Sequence, residues 1–311
     1  MVNSPQYDLL TFGDMCVDLM VTGDDVVPQF GQIEKLVEDY ELELGGSCNI
    51  FACQAAKLGM RVGVFGRVGD DYFGRLIVQR LEENGVDIQH IHVDPTIKTG
   101  LGLAICKGKD RAILTYLGSI NAVFPEDIDD KLLLSTRHLH HGSFFLHTNL
   151  QPAIPSIFSR AHSLGLSTSL DTNWDPAGKW AGTLFETLGL TDILLINEQE
   201  AACISKTSTV DEAMRVFQES DIKITAIKLE EQGAVVVTGN ERHSCVLPPS
   251  TCGNGIGAGD SFDAGFMTAW LRDLPIDKCL QIACQCGREV ACHLGSIRNQ
   301  PDWLTVTQAA G

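Results

Sequence analysis

The sequence predicts an α/β protein built on a mainly parallel β-sheet with helices on both faces, plus a small extra β-sheet that closes over it as a lid. Three observations predict it. Short β-branched runs alternate with amphipathic stretches at the spacing of strand–helix units. Two segments, Met15–Leu44 and Thr99–Asn121, break the alternation and read as extended strands and turns. No Pro/Ser/Gly linker, charge run or internal repeat divides the 311 residues, so 1–311 reads as one domain with the lid inserted from about 15–44 and 99–121.

In chain order, Asp8–Phe12 reads as a strand and Asn49–Leu58 as a helix closed by Gly59. Val62–Phe65 is a strand, Phe73–Glu83 a helix and His138–His141 a strand. Pro152–Ser163 reads as helix, Ser167–Asp171 and Ile193–Asn197 as strands, and Asp211–Gln218 as helix. Ile224–Leu229 and Ala234–Thr238 are strands, and the chain is helical from Ser261 onward. Within the lid, Gly100–Cys106, a turn at Gly108-Lys-Asp-Arg and Ala112–Tyr116 spell a hairpin, with Leu19–Thr22 as a neighbouring strand. A lid of this kind would exclude water from a group transfer beneath it.

Composition narrows the function. Hydrophobic residues at 44% and charged residues at 20% describe a globular chain with a packed core. A net charge of −17 leaves no basic stripe to replace phosphate counterions, which argues against nucleic acid but not against a nucleotide. The first eight residues lack a basic segment leading into an apolar run, and no apolar stretch has the length of a membrane span. The 11 cysteines follow no framework spacing, which suggests reduced thiols and a cytoplasmic location. Cys284, Cys286, Cys292 and His293 share one predicted helix, where residues two apart point about 200° apart, so core cysteines are preferred to a metal site. On the strand ending at His141, His138 and His140 share one face and His141 the other, which suits a pocket wall or core histidines.

The strongest local signal is Gly257-Ala258-Gly259-Asp260-Ser261-Phe262-Asp263-Ala264-Gly265-Phe266. Small residues stand where a loop becomes the first turn of a helix, so free N–H groups and the positive dipole end make an anion hole. Gly257, Ala258 and Gly259 let backbone approach a phosphate closely. Asp260 at its mouth is the wrong group to bind phosphate and the right one to take a proton from an attacking hydroxyl. A plain N-capping aspartate fits the same local pattern. The sequence has no G-x-x-x-x-G-K-[ST], and the G-x-G-x-x-A of Gly253, Gly255 and Ala258 lacks the return strand of a dinucleotide fold.

With these residues in view, the chain resembles the ribokinase-like (PfkB-type) carbohydrate and nucleoside kinases from Gly13 to Gly295. Gly257-Ala258-Gly259-Asp260 matches the G-A-G-D signature, with Asp260 in the catalytic-base position. Gly45-Gly46, then Ala55, Leu58 and Gly59, then Gly66-Arg67-Val68-Gly69-Asp70-Asp71-Tyr72-Phe73-Gly74 match the upstream signature. Asn197-Glu198-Gln199-Glu200 is similar to the N-x-x-E element, and Lys228-Leu229 with Gly233-Ala234 to the stretch flanking the nucleotide. The resemblance implies a three-layer α/β/α kinase with a β-sheet lid that uses ATP and Mg²⁺. It implies that Asn197 and Glu200 act on Mg²⁺ through water, and that Lys228, Gly233, Asn254 and Cys284 lie with the nucleotide. Arg111 matches the arginine that descends from the lid onto phosphate. Asp18, with Asp14 near it, falls where relatives bind substrate hydroxyls, beside Gly45, Gly46 and Ser47. Relatives also form homodimers through the lid.

Departures bear on substrate. Ile50 stands where relatives carry a sugar-binding asparagine, with Asn49 one residue away; either Asn49 substitutes through a local shift or the contact is absent. Asp171-Thr172-Asn173-Trp174-Asp175-Pro176 is similar to the D-x-N-x-R of fructokinase and ketodeoxygluconate kinase relatives, but Asp175 replaces the arginine, which argues against sugar acids. Asn254-Gly255-Ile256 replaces D-T-T in a loop that holds a monovalent cation in many relatives, so dependence on potassium stays open. Glu230 replaces a common glycine beside the nucleotide. The expectation is phosphorylation of a sugar hydroxyl. A nucleoside kinase would need a base sandwich, for which Phe12, Tyr40 and Tyr116 are available, and a sugar-phosphate kinase a basic cluster, for which only Arg67 and Lys98 are near. A non-catalytic binding protein of this fold is argued against by the intact G-A-G-D.

Overall fold

A computed structural model describes residues 4–108, 110–247, 255–293 and 295–309. Its elements in chain order begin with β1 (Tyr7–Phe12), β2 (Cys16–Thr22), β3 (Asp39–Gly45), α1 (Ser47–Lys57), β4 (Val62–Gly69), α2 (Tyr72–Glu83) and β5 (Asp87–Asp94). β6 (Gly100–Lys107), β7 (Asp110–Tyr116), α3 (Asp130–Leu133), β8 (Thr136–His141), α4 (Ile154–Ser163), β9 (Ser167–Leu170) and α5 (Leu184–Leu188) follow. Next are β10 (Ile193–Asn197), α6 (Glu198–Ser205), α7 (Val210–Gln218), β11 (Ile224–Lys228), β12 (Ala234–Thr238) and β13 (Glu241–Cys245). The chain closes with α8 (Ala258–Leu271), α9 (Ile276–Ala291) and α10 (Trp303–Ala309).

Nine strands form the main sheet in the order β13-β12-β11-β10-β9-β8-β1-β4-β5. β5 through β11 in that order pair in parallel, and β12 and β13 add an antiparallel edge. The central strands are buried on both faces, which is why they read as nearly unbroken apolar runs. Leu9, Val64, Leu195 and Ala226 pack toward α1, α2, α8 and α9, whereas Leu10, Phe12, Ile196 and Ile227 pack toward α4, α6 and α7. Two cores separated by one sheet make the predicted three layers.

A second sheet of four strands, β3-β2-β6-β7, is the expected lid. β6 and β7 are the hairpin read from the sequence, and β2 joins it in parallel with β6. One lid face carries Met20, Ala104 and Cys106, which meet Ile256 just before the glycine-rich turn, so the lid sits closed on that turn. The main sheet changes direction at β1, whose neighbours are β4 and β8. Ligands of open α/β sheets bind at such a switch point, outside the carboxyl ends of the strands.

The histidines of β8 are core groups. His138 bonds Ser167 and Ser169, while His140 bonds Ser169 and stacks on Phe51 with ring centroids 3.9 Å apart. His141 faces the other way, among Phe12, Phe144 and His147. The described cysteines are free thiols, and no cluster of metal-binding side chains occurs among the described residues. No helix among them is long and apolar enough to cross a membrane.

Candidate active site

The carboxyl ends of β1, β9, β10 and β11, the start of α1 and the start of α8 converge under the lid. α8 begins at Gly257, whose φ of 76° is left-handed and lets the loop turn sharply into the helix. A Cβ on Gly257 would lie 3.0 Å from the Ser296 carbonyl oxygen, so the turn is packed as well as bent. The helix has no side-chain N-cap; the Ala258 amide donates to the Gly255 carbonyl at 3.2 Å, and the amides of Gly259 and Asp260 are left without a capping side chain. Asp260 stands in this first turn, half-buried.

Burial pushes the Asp260 carboxyl up to about 6, Asp171 adds to the rise, and Lys228, a hydrogen bond from Ser47 and Arg111 oppose it. Ser47 is a bridge, because its hydroxyl accepts from Asn173 Nδ2 at 2.8 Å while donating to Asp260. Asn173 Oδ1 in turn accepts from the Ser143 amide at 2.7 Å. Sequence reasoning missed Ser143, and it grouped Asn173 with a motif without a role.

Asp18 approaches from lid strand β2. A Cβ on Gly45 would fall 2.6 Å from its carboxyl carbon, and one on Gly102 would fall 2.2 Å from its Oδ1, so both glycines make room for this side chain. Burial and the nearby Asp260 push Asp18 up to about 7, against the pull of Arg111. Arg111, on β7, lies beside Gly255, where a Cβ would be 3.6 Å from Nη1. Asp14, Asp18 and Asp260 thus crowd one end of the cleft, each carboxyl raised by burial first and Asp260 adding its charge to the other two.

Two expected substrate contacts are turned inward. Asp14 accepts from the Ser47 amide at 2.8 Å, the Cys48 amide at 3.0 Å and the Ser143 hydroxyl, so both its oxygens hold the start of α1. Asn49 donates to the Asp14 and Gly45 carbonyls at 3.2 and 2.9 Å. Gly46 lies between them with φ 87°, and a Cβ there would sit 2.2 Å from the Asp14 carbonyl oxygen. Asp14, Gly46 and Asn49 therefore build the turn that presents Ser47.

Asn197 and Glu200 form a reciprocal capping box at the start of α6, with both bonds at 2.9 Å. The box uses Glu200 Oε2 and leaves Oε1, and burial raises this carboxyl to about 7. An all-oxygen pair with spare lone pairs fits Mg²⁺ held through water, and Asn197 and Glu200 would hold the ion there, where it would neutralise phosphate charge. Lys228 points its ammonium at Asp171 and Asp263. Cys284 is buried against Cys245, its thiol hydrogen-bonded to that neighbour. Gly233, with φ 90°, closes the turn between β11 and β12. Asn254 lies outside the described residues. Asp175 is also turned inward, accepting from the amides of Ala177, Lys179 and Trp180.

Residues 6–303 match the profile of the pfkB family of carbohydrate kinases. The chain belongs to that family. It is an ATP-dependent carbohydrate kinase. The ATP-dependent ribose-1-phosphate kinase of Halopiger xanaduensis is 30% identical over 256 residues, covering 81% of each chain. A putative ribokinase II of E. coli, solved with ATP and Mg²⁺, superposes with a TM-score of 0.84 at 24% identity, over 97% of this chain and 98% of that one. A fructokinase of Vibrio cholerae, solved with fructose, ADP and calcium, gives a TM-score of 0.82 at 22% identity, over 98% and 100%. The pfkB kinase fold and its small lid sheet are those predicted from the alternation and its two interruptions.

Proposed function

We propose that this kinase transfers the terminal phosphoryl group of ATP to a hydroxyl of an uncharged sugar, with Asp260 as general base. The observation that carries the reading is the position of Asp260, whose carboxylate stands in the uncapped first turn of α8, where backbone amides can hold phosphate. The acceptor hydroxyl would give its proton to Asp260 as its oxygen attacks phosphorus, and the bond to ADP would break behind it. Ser47, fixed by Asn173, orients the carboxylate. Arg111 would close on the phosphates from the lid, and Asp18 would hold neighbouring sugar hydroxyls. Mg²⁺, with Asn197 and Glu200 reaching it through water, would neutralise phosphate charge.

The carboxylates of Asp18 and Asp260 favour a neutral polyol over an anion. Arg67, available in sequence for a sugar phosphate, is ion-paired to Asp127. Phe12, a candidate for stacking a nucleoside base, is fully buried in the core. Product mass spectrometry with ATP and a panel of ribose, fructose, ribose 1-phosphate, 2-dehydro-3-deoxygluconate and adenosine tests this directly. Phosphorylation of ribose or fructose in preference to the anions and the nucleoside is expected, and preference for an anion would overturn the substrate class.

The lid also suggests a homodimer. Its outer face carries Leu19, Val21, Leu103 and Ile105, extended at the edges by exposed Tyr40, Leu114 and Tyr116. An apolar sheet face of this extent is what a second lid would cover.

A further inference from the structure

Lys228 ends β11 and sends its side chain into a buried group of carboxylates. Its ammonium donates to Asp171 Oδ2 at 2.8 Å and to both Asp263 oxygens at 3.1 Å. The three side chains are 14%, 4% and 1% exposed. An ammonium has three N–H bonds, and these contacts account for them. Nζ also lies 3.6 Å from where a Cβ on Gly259 would be, directly against the first turn of α8. Asp263 is one helical turn beyond Asp260, so the same helix carries the base and a ligand of the ammonium.

We propose that Lys228 is a positioning residue for Asp260: clamped by Asp171 and Asp263 beneath the anion-hole turn, its charge keeps the Asp260 carboxylate ionised and the turn in place, and it does not bind nucleotide. The proposal rests on the reading of Asp260 as base. The charges around Asp260 come from every side of the site. Asp14 follows β1, Asp18 comes from β2, Arg111 from β7, Asp171 follows β9, Glu200 belongs to α6 and Asp263 to α8. The buried thiols of Cys16 and Cys48 also face it, held neutral by burial. Seven of these eight groups are carboxyls or thiols, of which both thiols stay neutral and the five carboxyls can only add negative charge, and the eighth is Arg111 on the lid; Lys228 is the cation fixed from below. Burial works against an ammonium there, yet Asp171 and Asp263 hold Lys228 firmly protonated. Asp171, which burial alone would raise, is instead pulled down by Lys228 and stays ionised.

The test follows the Asp260 carboxyl by ¹³C NMR of aspartate-labelled protein, its signal assigned by loss in Asp260→Asn, beside the pH dependence of kcat with ribose or fructose, whichever turns over. Lys228→Met removes the cation and is expected to raise the Asp260 midpoint by about one pH unit or more. Asp171→Asn removes an anion and is expected to lower it, and the double variant to return it toward the parent value. A role in packing alone would not give shifts of opposite sign. Midpoints that stay in place, or move in the same direction, overturn the proposal, and the Asp171→Asn arm decides it alone should Lys228→Met not fold. Loss of ATP binding by a folded Lys228→Met protein would also overturn it by making Lys228 a nucleotide ligand. Normal turnover by Asp260→Asn would instead overturn the reading of Asp260 as base and leave the titration result standing.

Discussion

Asp18 shows how tightly the chemistry of one side chain constrains its surroundings. It is lodged against Gly45 on one neighbouring strand and Gly102 on the other, and neither position tolerates a Cβ without moving it. If it holds sugar hydroxyls, Asp18→Ala should raise the sugar KM by about 10- to 100-fold, the worth of hydrogen bonds to a charged group, and leave the ATP KM within about twofold. Steady-state kinetics with both substrates varied would check this, and equal effects on both would point to folding. At this scale the sequence was most legible where the residue types are chemically unusual, as at Asp260. It was least legible where a polar residue serves backbone. Asp14 and Asn49 look like ligands in one dimension, and only the fold reveals that both Asp14 oxygens and the Asn49 amide Nδ2 hold the start of α1 and the Gly45-Gly46 turn. The clamp of Lys228 by Asp171 and Asp263 joins three elements far apart in sequence, and no local pattern announces it.

Elements differ in legibility for physical reasons. Strands buried on both faces announce themselves as apolar runs, and β1, β8, β10 and β11 were found within a residue or two. The edge strands β5 (DIQHIHVD) and β13 (ERHSC) have too few apolar residues to stand out and were missed. α6 was missed because Asn197 and Glu200, at the spacing of a capping box, were read only for metal. The lid hairpin was legible from Gly108 and its flanking alternation, and its small inward residues explain what the hairpin is for. Gly102→Ala puts a methyl group against Asp18 from within β6, so it should mimic the Asp18 variant in sugar KM while the protein stays folded. Thermal unfolding measured beside the kinetics distinguishes this from general loss of the lid, which would lower stability and raise both KM values.

On the scale of the molecule, a nine-stranded sheet fixes the floor of the site and a four-stranded sheet its cover. The floor is rigid because two cores grip it from opposite sides, whereas the cover has an apolar outer face of its own. Light scattering should therefore give twice the mass of one chain, and Leu114→Asp with Tyr116→Asp should halve it without unfolding the protein. A monomer in both cases would leave the lid's outer face without this explanation. Membership of the family was legible because four short motifs occur in order, each fixed by a local backbone need. The sugar itself was not legible, because the side chains proposed to surround it come from β2, β7, α1 and the loop after β9.

The central claim is that Asp260 takes the proton of the acceptor hydroxyl. Asp260→Asn keeps the size of the side chain and its bond to Ser47 but cannot accept a proton. Single-turnover phosphorylation of ribose or fructose, whichever the panel selects, with ATP titration of the same variant, measures this most directly. The transfer rate should fall by about 10²–10⁴-fold, the usual worth of general-base assistance, while ATP affinity changes little because the α8 amides remain. In the parent enzyme the rate should decline as pH falls through about 6, since burial raises this carboxyl to that value and only its ionised form is a base. Near-normal transfer by the Asn variant, with the acid decline retained, would contradict the account and reduce Asp260 to a residue of the helix's first turn.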